Sequence, residues 1–349
     1  MVAGPTKKTF IIAEAGVNHN GRLDFALEMV DIAAKAGADA IKFQTFSAEH
    51  LVLPGTAKAS YQIHTTSDAD QYSMLKNLEL PKNNYELISK KCRDVNIEFM
   101  STAFDESNAD FLMNLGITRI KIPSGEITNK PFLEFLARKD LPIILSTGMS
   151  SLNEIRDAID CIESARVKAG YVRPIRDIVT ILHCTSSYPA PLNEVNLNVM
   201  KTLSKEFNFQ IGYSDHTLGS EVAIAAVALG ATVIEKHFTL DCSLQGPDHK
   251  ASLSPTDLLN FVQEIRNTEY ALGGSEKFVT NSEFQTRDLV RRSIVTARDL
   301  RAGEILTKSD FIMLRPGTGI SPMRINDVLE KTPNKNIKKN KILQWGDLF

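Results

Sequence analysis

Eight short apolar runs, each ending in polar or glycine-containing residues and each followed by a stretch with helical spacing, dominate the first 240 positions. They read FIIAEAG (10–16), DAIKFQTF (39–46), IEFMSTAF (97–104), RIKIPSGE (119–126), PIILSTGM (142–149), IVTILHCTSSYP (178–189), FQIGYSDHT (209–217) and TVIEKHFTL (232–240). Strands that alternate with helices favour a parallel sheet. Eight such units favour closure into a (β/α)8 barrel. An open doubly wound sheet is the alternative, but no G-x-G-x-x-G motif follows the first run. The intervening segments, such as LDFALEMVDIAAKAG and NNYELISKKCRDVN, carry apolar residues at helical spacing, with Gly37 placed as a C-cap. The connection 47–73 is longer than a usual βα loop, and long loops of that class are often functional.

Beyond residue 272 the texture changes. The expected organisation is a catalytic barrel over 1–272, a polar linker over 273–289, and a small β-rich domain over 290–349. About 60 residues make a marginal core, so the small domain is expected to dock on its own barrel or a neighbour's.

The 349 residues carry a net charge of −2, with no basic stripe, which disfavours nucleic acid and anionic membranes as partners. The N-terminus lacks the apolar region of a signal peptide, and the longest apolar run, 222–234, is shorter than the roughly 20 residues of a membrane span. The four cysteines show no paired spacing and fit reduced thiols. The expected setting is cytoplasmic.

Barrels of this class carry their chemistry at the C-terminal ends of the strands. Here those ends present Glu14; Lys42 and Gln44; Thr102; Lys121, Ser124 and Glu126; Ser146 and Thr147; Ser186 and Tyr188; Asp215 and His216; and His237. Lys42, Thr102, Lys121, Ser124 and Ser146 suggest a basic, hydroxyl-rich patch for an anion bearing phosphate and carboxylate. Schiff-base chemistry on one lysine is the alternative. His216 and His237 end neighbouring strands, so their imidazoles can converge on a divalent metal with open positions for water and substrate; Mn²⁺, Mg²⁺, Zn²⁺ or Fe²⁺ would fit. His19 and His183 are read as structural or supporting. Glu14, Glu126 and Asp248 are candidates for acid, base or hydroxyl-binding roles.

The segments IAEAGVNHNG, IKFQTF, STAFD, KIPSGEITN, ILSTGM, LHCTSSYPAP, GYSDHTLG, EKHFTLD, GPDHKASL and RPGTGISP together resemble the bacterial sialic acid synthases, from residue 10 to the end. The tail resembles the antifreeze-like (SAF) domain of that family. The resemblance implies a (β/α)8 barrel, a divalent metal (Mn²⁺ or Mg²⁺), and condensation of phosphoenolpyruvate with an N-acyl mannosamine-type sugar. Lys42, Thr102, Lys121, Ser124, Ser146 and Ser186 would hold phosphoenolpyruvate. His216 and His237 would bind the metal, and Gln44, Tyr188 and Asp248 the sugar. Glu14 and Glu126 would share proton transfer and water activation. The family is typically a domain-swapped homodimer, so Arg315 would reach the partner's site and bond the sugar's N-acyl group. N-acetylmannosamine, giving N-acetylneuraminate, is the first expectation for the sugar; 2,4-diacetamido-2,4,6-trideoxymannose, leading to legionaminate, is the alternative. Ser186 stands where some N-acetylneuraminate synthases carry Asn, which leaves that choice open. A Schiff-base aldolase and a non-enzymatic carbohydrate-binding protein are the remoter readings.

Overall fold

Eight parallel strands form where the apolar runs lie: β1 (Phe10–Gly16), β2 (Ala40–Thr45), β3 (Glu98–Ala103), β4 (Ile120–Ile122), β5 (Ile143–Ser146), β6 (Val179–Cys184), β7 (Gln210–Asp215) and β8 (Val233–His237). They come from a computed structural model that describes residues 8–349. The hydrogen-bonded order is β3-β2-β1-β8-β7-β6-β5-β4, with β1 paired to both β2 and β8. Only the β3–β4 seam lacks a regular ladder, so the sheet is a nearly closed barrel and not the open alternative.

The strand ends fall short of the apolar runs in two instructive places. After Ile122, Pro123 leads into a 3-10 turn (Ser124–Glu126), so Ser124 and Glu126 belong to a turn and not to β4. Likewise β6 stops at Cys184, which leaves Ser186 and Tyr188 on the following loop.

Eight helices cover the outside: α1 (Leu23–Ala36), α2 (Lys82–Asp94), α3 (Glu106–Asn114), α4 (Lys130–Ala137), α5 (Leu152–Lys168), α6 (Val199–Phe207), α7 (Glu221–Ala228) and α8 (Pro255–Leu272). Helix α1 shows why they form. Ala26, Met29, Val30 and Ala33 recur at helical spacing and are buried, and Gly37 ends the helix in the left-handed conformation at φ 81°. Helix α5 starts at a capping box made by Ser151 and Glu154. The long β2–α2 connection contains three short helices, Ala48–Leu51, Ser60–Ile63 and Gln71–Leu78.

Side chains alternate along each strand, and the two faces do different jobs. Outward residues such as Ile11, Ile41, Phe43, Ile181 and Ile234 pack against the helices, each contributing about 1.5–3 kcal/mol. Inward residues Ile12, Ala40, Met100, Ile144, Leu182 and Val233 form a separate apolar layer across the barrel floor. Gly212 completes it, because a Cβ there would lie 2.5 Å from Leu182 Cδ2. Two residues further along the same strands, the inward positions become Glu14, Lys42, Thr102, Ser146, Cys184, Ser214 and Glu235. The barrel interior thus changes from hydrocarbon to charge within one pleat repeat.

The chain divides into two compact units, one ending at Gly274 and the other Ser275–Phe349. The second unit pairs β9 (Ser293–Thr296) antiparallel with β10 (Phe311–Leu314) over its own core, which includes Ile294, Leu300, Phe311, Val328 and Leu343. The segment expected as linker is partly structured. Helix α9 (Asn281–Val290) begins at Thr280 and Glu283, which cap it reciprocally, and Gly317 N donates to Asp288 O at 2.7 Å. The capping signature T-x-x-E was present in the sequence; the polarity of the segment masked it. Among the described residues, no helix is long and apolar enough to cross a membrane.

Candidate active site

The C-terminal ends of the strands surround a cavity of about 420 Å³. Glu14, Lys42, Gln44, Thr102, Lys121, Ser124, Ser146, Ser186, Tyr188, His216 and His237 all line it. A wider depression of about 670 Å³ opens at the opposite end of β7 and β8, beside Arg176, Lys201 and Lys205, but no reactive groups converge there.

The deepest layer is ionic. Lys42 Nζ lies 2.7 Å from Glu14 Oε2 and 3.7 Å from Glu235 Oε2, and it donates to Thr102 Oγ1 at 3.2 Å. Lys121 Nζ lies 3.4 Å from Glu235 Oε1 and donates to Ser146 Oγ at 2.8 Å. All four charged side chains are buried. Burial dominates the Glu14 carboxyl and, helped by Glu235, raises its pKa to about 7 against the pull of Lys42. Burial also acts upward on Glu235, but Lys121, Lys42 and the two imidazoles outweigh it and hold that carboxyl at about 2. Burial lowers the pKa of Lys121. On Lys42, burial acts downward, but the two carboxylates outweigh it and raise its pKa. Two cations with one firmly ionised carboxylate and one poised carboxyl leave the layer short of negative charge, which suits an anionic ligand.

Around one wall, hydroxyls gather where Gly148 makes room. Ser124 Oγ accepts from Gly148 N at 3.0 Å and lies 3.3 Å from Cys184 Sγ. A Cβ at Gly148 would stand 2.2 Å from Ser186 Oγ and 2.9 Å from Ser124 Oγ. Next to this wall, the His216 and His237 rings lie 5.7 Å apart, centroid to centroid. His216 Nδ1–H donates to Thr185 O at 2.7 Å, which leaves Nε2 as an acceptor, 3.4 Å from Ser214 Oγ. His237 Nδ1 is buried without a hydrogen-bond partner, 4.0 Å from Asp248 Oδ2. Burial keeps both rings neutral by lowering their pKa, that of His237 further because of the neighbouring His216. Two neutral imidazoles with available nitrogens fit a divalent metal. No group of three or more His, Cys, Asp or Glu side chains forms a metal cage among the described residues, so water and substrate would have to complete the shell. Tyr188 packs against both rings, at 4.2 Å from His216 and 5.7 Å from His237. Burial raises the Asp248 pKa to about 6.

Some expected residues fall elsewhere. Glu126 does not line the cavity: the 3-10 turn carries it around to accept from Asn129 Nδ2, at the start of α4, at 2.7 Å. Asp215 and Thr147 face outward, where Asp215 pairs with Lys236 at 2.8 Å and Thr147 bonds Leu182 O. His183 holds Val195 O at 2.7 Å, and His19 is buried behind the β1 loop. Arg315 is exposed on the second unit, immediately after β10.

Strand-end reading missed Glu235, the carboxylate both lysines share. Strict alternation along V-I-E-K-H exposes it, because Val233, Glu235 and His237 must share a face. It also missed Tyr61 and Gln62, which reach the cavity from the long β2–α2 connection.

Residues 29–277 match the NeuB family, and residues 291–348 match the SAF domain. The chain is 50% identical to the N,N'-diacetyllegionaminic acid synthase of Legionella pneumophila, over 98% of this chain and 95% of that protein. It is 46% identical to the enzyme of the same name from Campylobacter jejuni, over 97% and 99%. Among solved structures, the N-acetylneuraminic acid synthetase of Leptospira borgpetersenii superposes with a TM-score of 0.68 at 36% identity, covering 82% of this chain and 92% of that one. With the eight-stranded barrel, the lysine and histidine array at its mouth and the appended β-rich unit, these matches make the chain a member of the NeuB family carrying a C-terminal SAF domain.

Proposed function

We propose that the chain condenses phosphoenolpyruvate with 2,4-diacetamido-2,4,6-trideoxymannose and water to give N,N'-diacetyllegionaminate and phosphate. The observation that carries this reading is the 50% identity, over nearly the whole chain, to a synthase of that product. It reverses the order of the two sugars expected from sequence, where N-acetylmannosamine came first.

In the reaction, C3 of phosphoenolpyruvate bonds to the aldehyde carbon of the open-chain sugar. Water adds at C2, and phosphate leaves by C–O cleavage. Lys42 and Lys121 neutralise phosphate and carboxylate, supported by the hydroxyls of Thr102, Ser124, Ser146 and Ser186. Glu235 fixes both ammonium groups and keeps them charged. Glu14, able to hold a proton near neutrality and set 2.7 Å from Lys42, is the group suited to carry a proton in this layer. A divalent cation such as Mn²⁺ or Mg²⁺, held by His216 and His237, would polarise the sugar aldehyde when bound. Tyr188, Gln44 and Asp248 orient the sugar. Holding two small reactants in register supplies about 7–11 kcal/mol of barrier reduction.

Arg315, exposed beside β10, is the residue through which the SAF unit of one subunit completes its partner's site in a domain-swapped homodimer. Four unpaired cysteines accord with a reducing cytoplasm. Phosphate release measured with the two sugars side by side tests the substrate. The diacetamido sugar is expected to give the higher kcat/KM; an equal or higher value for N-acetylmannosamine refutes the assignment.

A further inference from the structure

The two sugars differ at two carbons. The diacetamido sugar has an acetamido group at C4 and a methyl at C6, where N-acetylmannosamine has hydroxyls. Selecting the former requires a flat apolar wall and a hydrogen-bond donor for one extra amide carbonyl. On the substrate reading above, the long β2–α2 connection supplies such a wall.

The short helix Ser60–Ile63 puts Tyr61 against the cavity. Its ring lies 5.3 Å from that of Tyr188, and Tyr188 in turn lies 4.2 Å from His216. Tyr61 therefore stands one aromatic ring further from the imidazoles than Tyr188. Three single bonds span about 3.8 Å, so six span about 7 Å at most. Counted from the reacting aldehyde carbon, C4 is three bonds away, and the methyl of a C4 acetamido group is six. An acyl chain that starts beside Tyr188 thus ends beside Tyr61.

Tyr61 is also fixed and equipped to donate. Gln62 is buried, its Oε1 accepts from Ala59 N at 3.0 Å, and its Nε2 donates to the Tyr61 hydroxyl at 3.2 Å. With its oxygen already accepting, the Tyr61 O–H has its proton left to give, and that proton has no acceptor among the described residues. Ala59 and Phe104 continue the same wall with apolar surface.

We propose that Tyr61, positioned by Gln62, is the specificity-determining residue for the C4 acetamido group: its ring packs on the acyl plane, and its hydroxyl donates to the amide carbonyl. A site that offers a hydrogen bond discriminates against a substrate lacking the partner more strongly than an apolar pocket does.

Steady-state kinetics of the full-length wild type, Tyr61→Phe and Gln62→Leu with both sugars test this, with circular dichroism confirming the fold. Wild type should favour the diacetamido sugar. Tyr61→Phe should lower kcat/KM for that sugar about 10-fold, mainly through KM, while N-acetylmannosamine changes less than about 2-fold. Gln62→Leu should raise KM for the diacetamido sugar and leave kcat in place. Equal losses on both sugars, or no loss on either, overturn the assignment of Tyr61 while the substrate reading stands. A wild type that prefers N-acetylmannosamine overturns the substrate reading itself, and the role of Tyr61 with it.

Discussion

Lys236 and Asp215 form an ion pair on the outer side of β7 and β8, immediately before His237 and His216. The two residues are register partners in the parallel ladder, their charged atoms lie 2.8 Å apart, and the side chains are 1% and 0% exposed. The second Asp215 oxygen accepts from Thr217 N at 2.9 Å and Thr217 Oγ1 at 2.7 Å. Replacing Lys236 with Met removes the cation but keeps the volume, so a buried carboxylate is left without its counterion. Such a break costs about 3–5 kcal/mol. Adding Asp215→Leu removes the stranded charge; the Thr217 N–H and hydroxyl then lack an acceptor, at about 1–3 kcal/mol for each group left unpaired, while the Thr217 carbonyl has lost its Lys236 donor in both variants. The double variant should therefore be more stable than Lys236→Met alone. Guanidinium unfolding followed by far-UV circular dichroism measures both. A loss below about 1 kcal/mol for Lys236→Met, or a double variant whose loss equals the two single losses combined, would refute the reasoning that this pair acts as one buried unit.

Four further outcomes are expected. Gly148→Ala drives a methyl group against Ser186 Oγ and Ser124 Oγ and should raise KM for phosphoenolpyruvate at least about 10-fold; an equal rise for the sugar would argue against a phosphate role for those hydroxyls. EDTA should abolish phosphate release and Mn²⁺ restore it, and His237→Ala should lose Mn²⁺ binding in a direct titration; turnover indifferent to chelation contradicts the metal role. Arg315→Ala should raise KM for the sugar more than for phosphoenolpyruvate, and a mixed dimer of Arg315→Ala with His216→Ala subunits should keep one working site; a dead mixed dimer contradicts the swap. His19 is held neutral by burial, which lowers its pKa from 6.5 to about 4. The unfolded chain binds a proton in that window and the native chain does not, so stability should fall by up to about 3 kcal/mol as pH drops from 6.5 to 4. His19→Asn should reduce that slope, leaving the share of His249, whose pKa burial also lowers to about 4, as read from unfolding midpoints at pH 7 and pH 4.5; an unchanged slope would sink the assignment.

The barrel was legible because burial on the outer face demands apolar runs, and because a parallel strand can return only through a helix. The lysines, the hydroxyls and the histidine pair were legible for a related reason: polar groups at the ends of apolar strands stand out. Glu235 was not, because it sits inside an apolar run, and only the alternation Val233–Glu235–His237 reveals which way it faces. Glu126 misled for the opposite reason. It lies two residues after Ser124, and an extended chain would have aimed both into the barrel; Pro123 starts a turn that separates them. Tyr61 lay beyond reach because its position depends on how the 36-residue connection between Thr45 and Lys82 folds back, with Gln62 and Ala59 as the local anchors. Helix α9 hid in plain sight: its cap signature is local, but its apolar residues remain exposed, so periodicity gave no signal.

Hydrocarbon from Ile12, Met100, Ile144, Leu182 and Val233 plugs the cylinder beneath the lysines. In the proposed reaction, reactants, solvent and departing phosphate would then share the doorway that the described residues leave at the opposite end. A dead-end shaft imposes a queue: whichever reactant sits lowest has to arrive first, and its remnant leaves only after the lodger above it has gone. If phosphoenolpyruvate sits against Lys42 and Lys121 as proposed, the stopper at the base makes it the first reactant in.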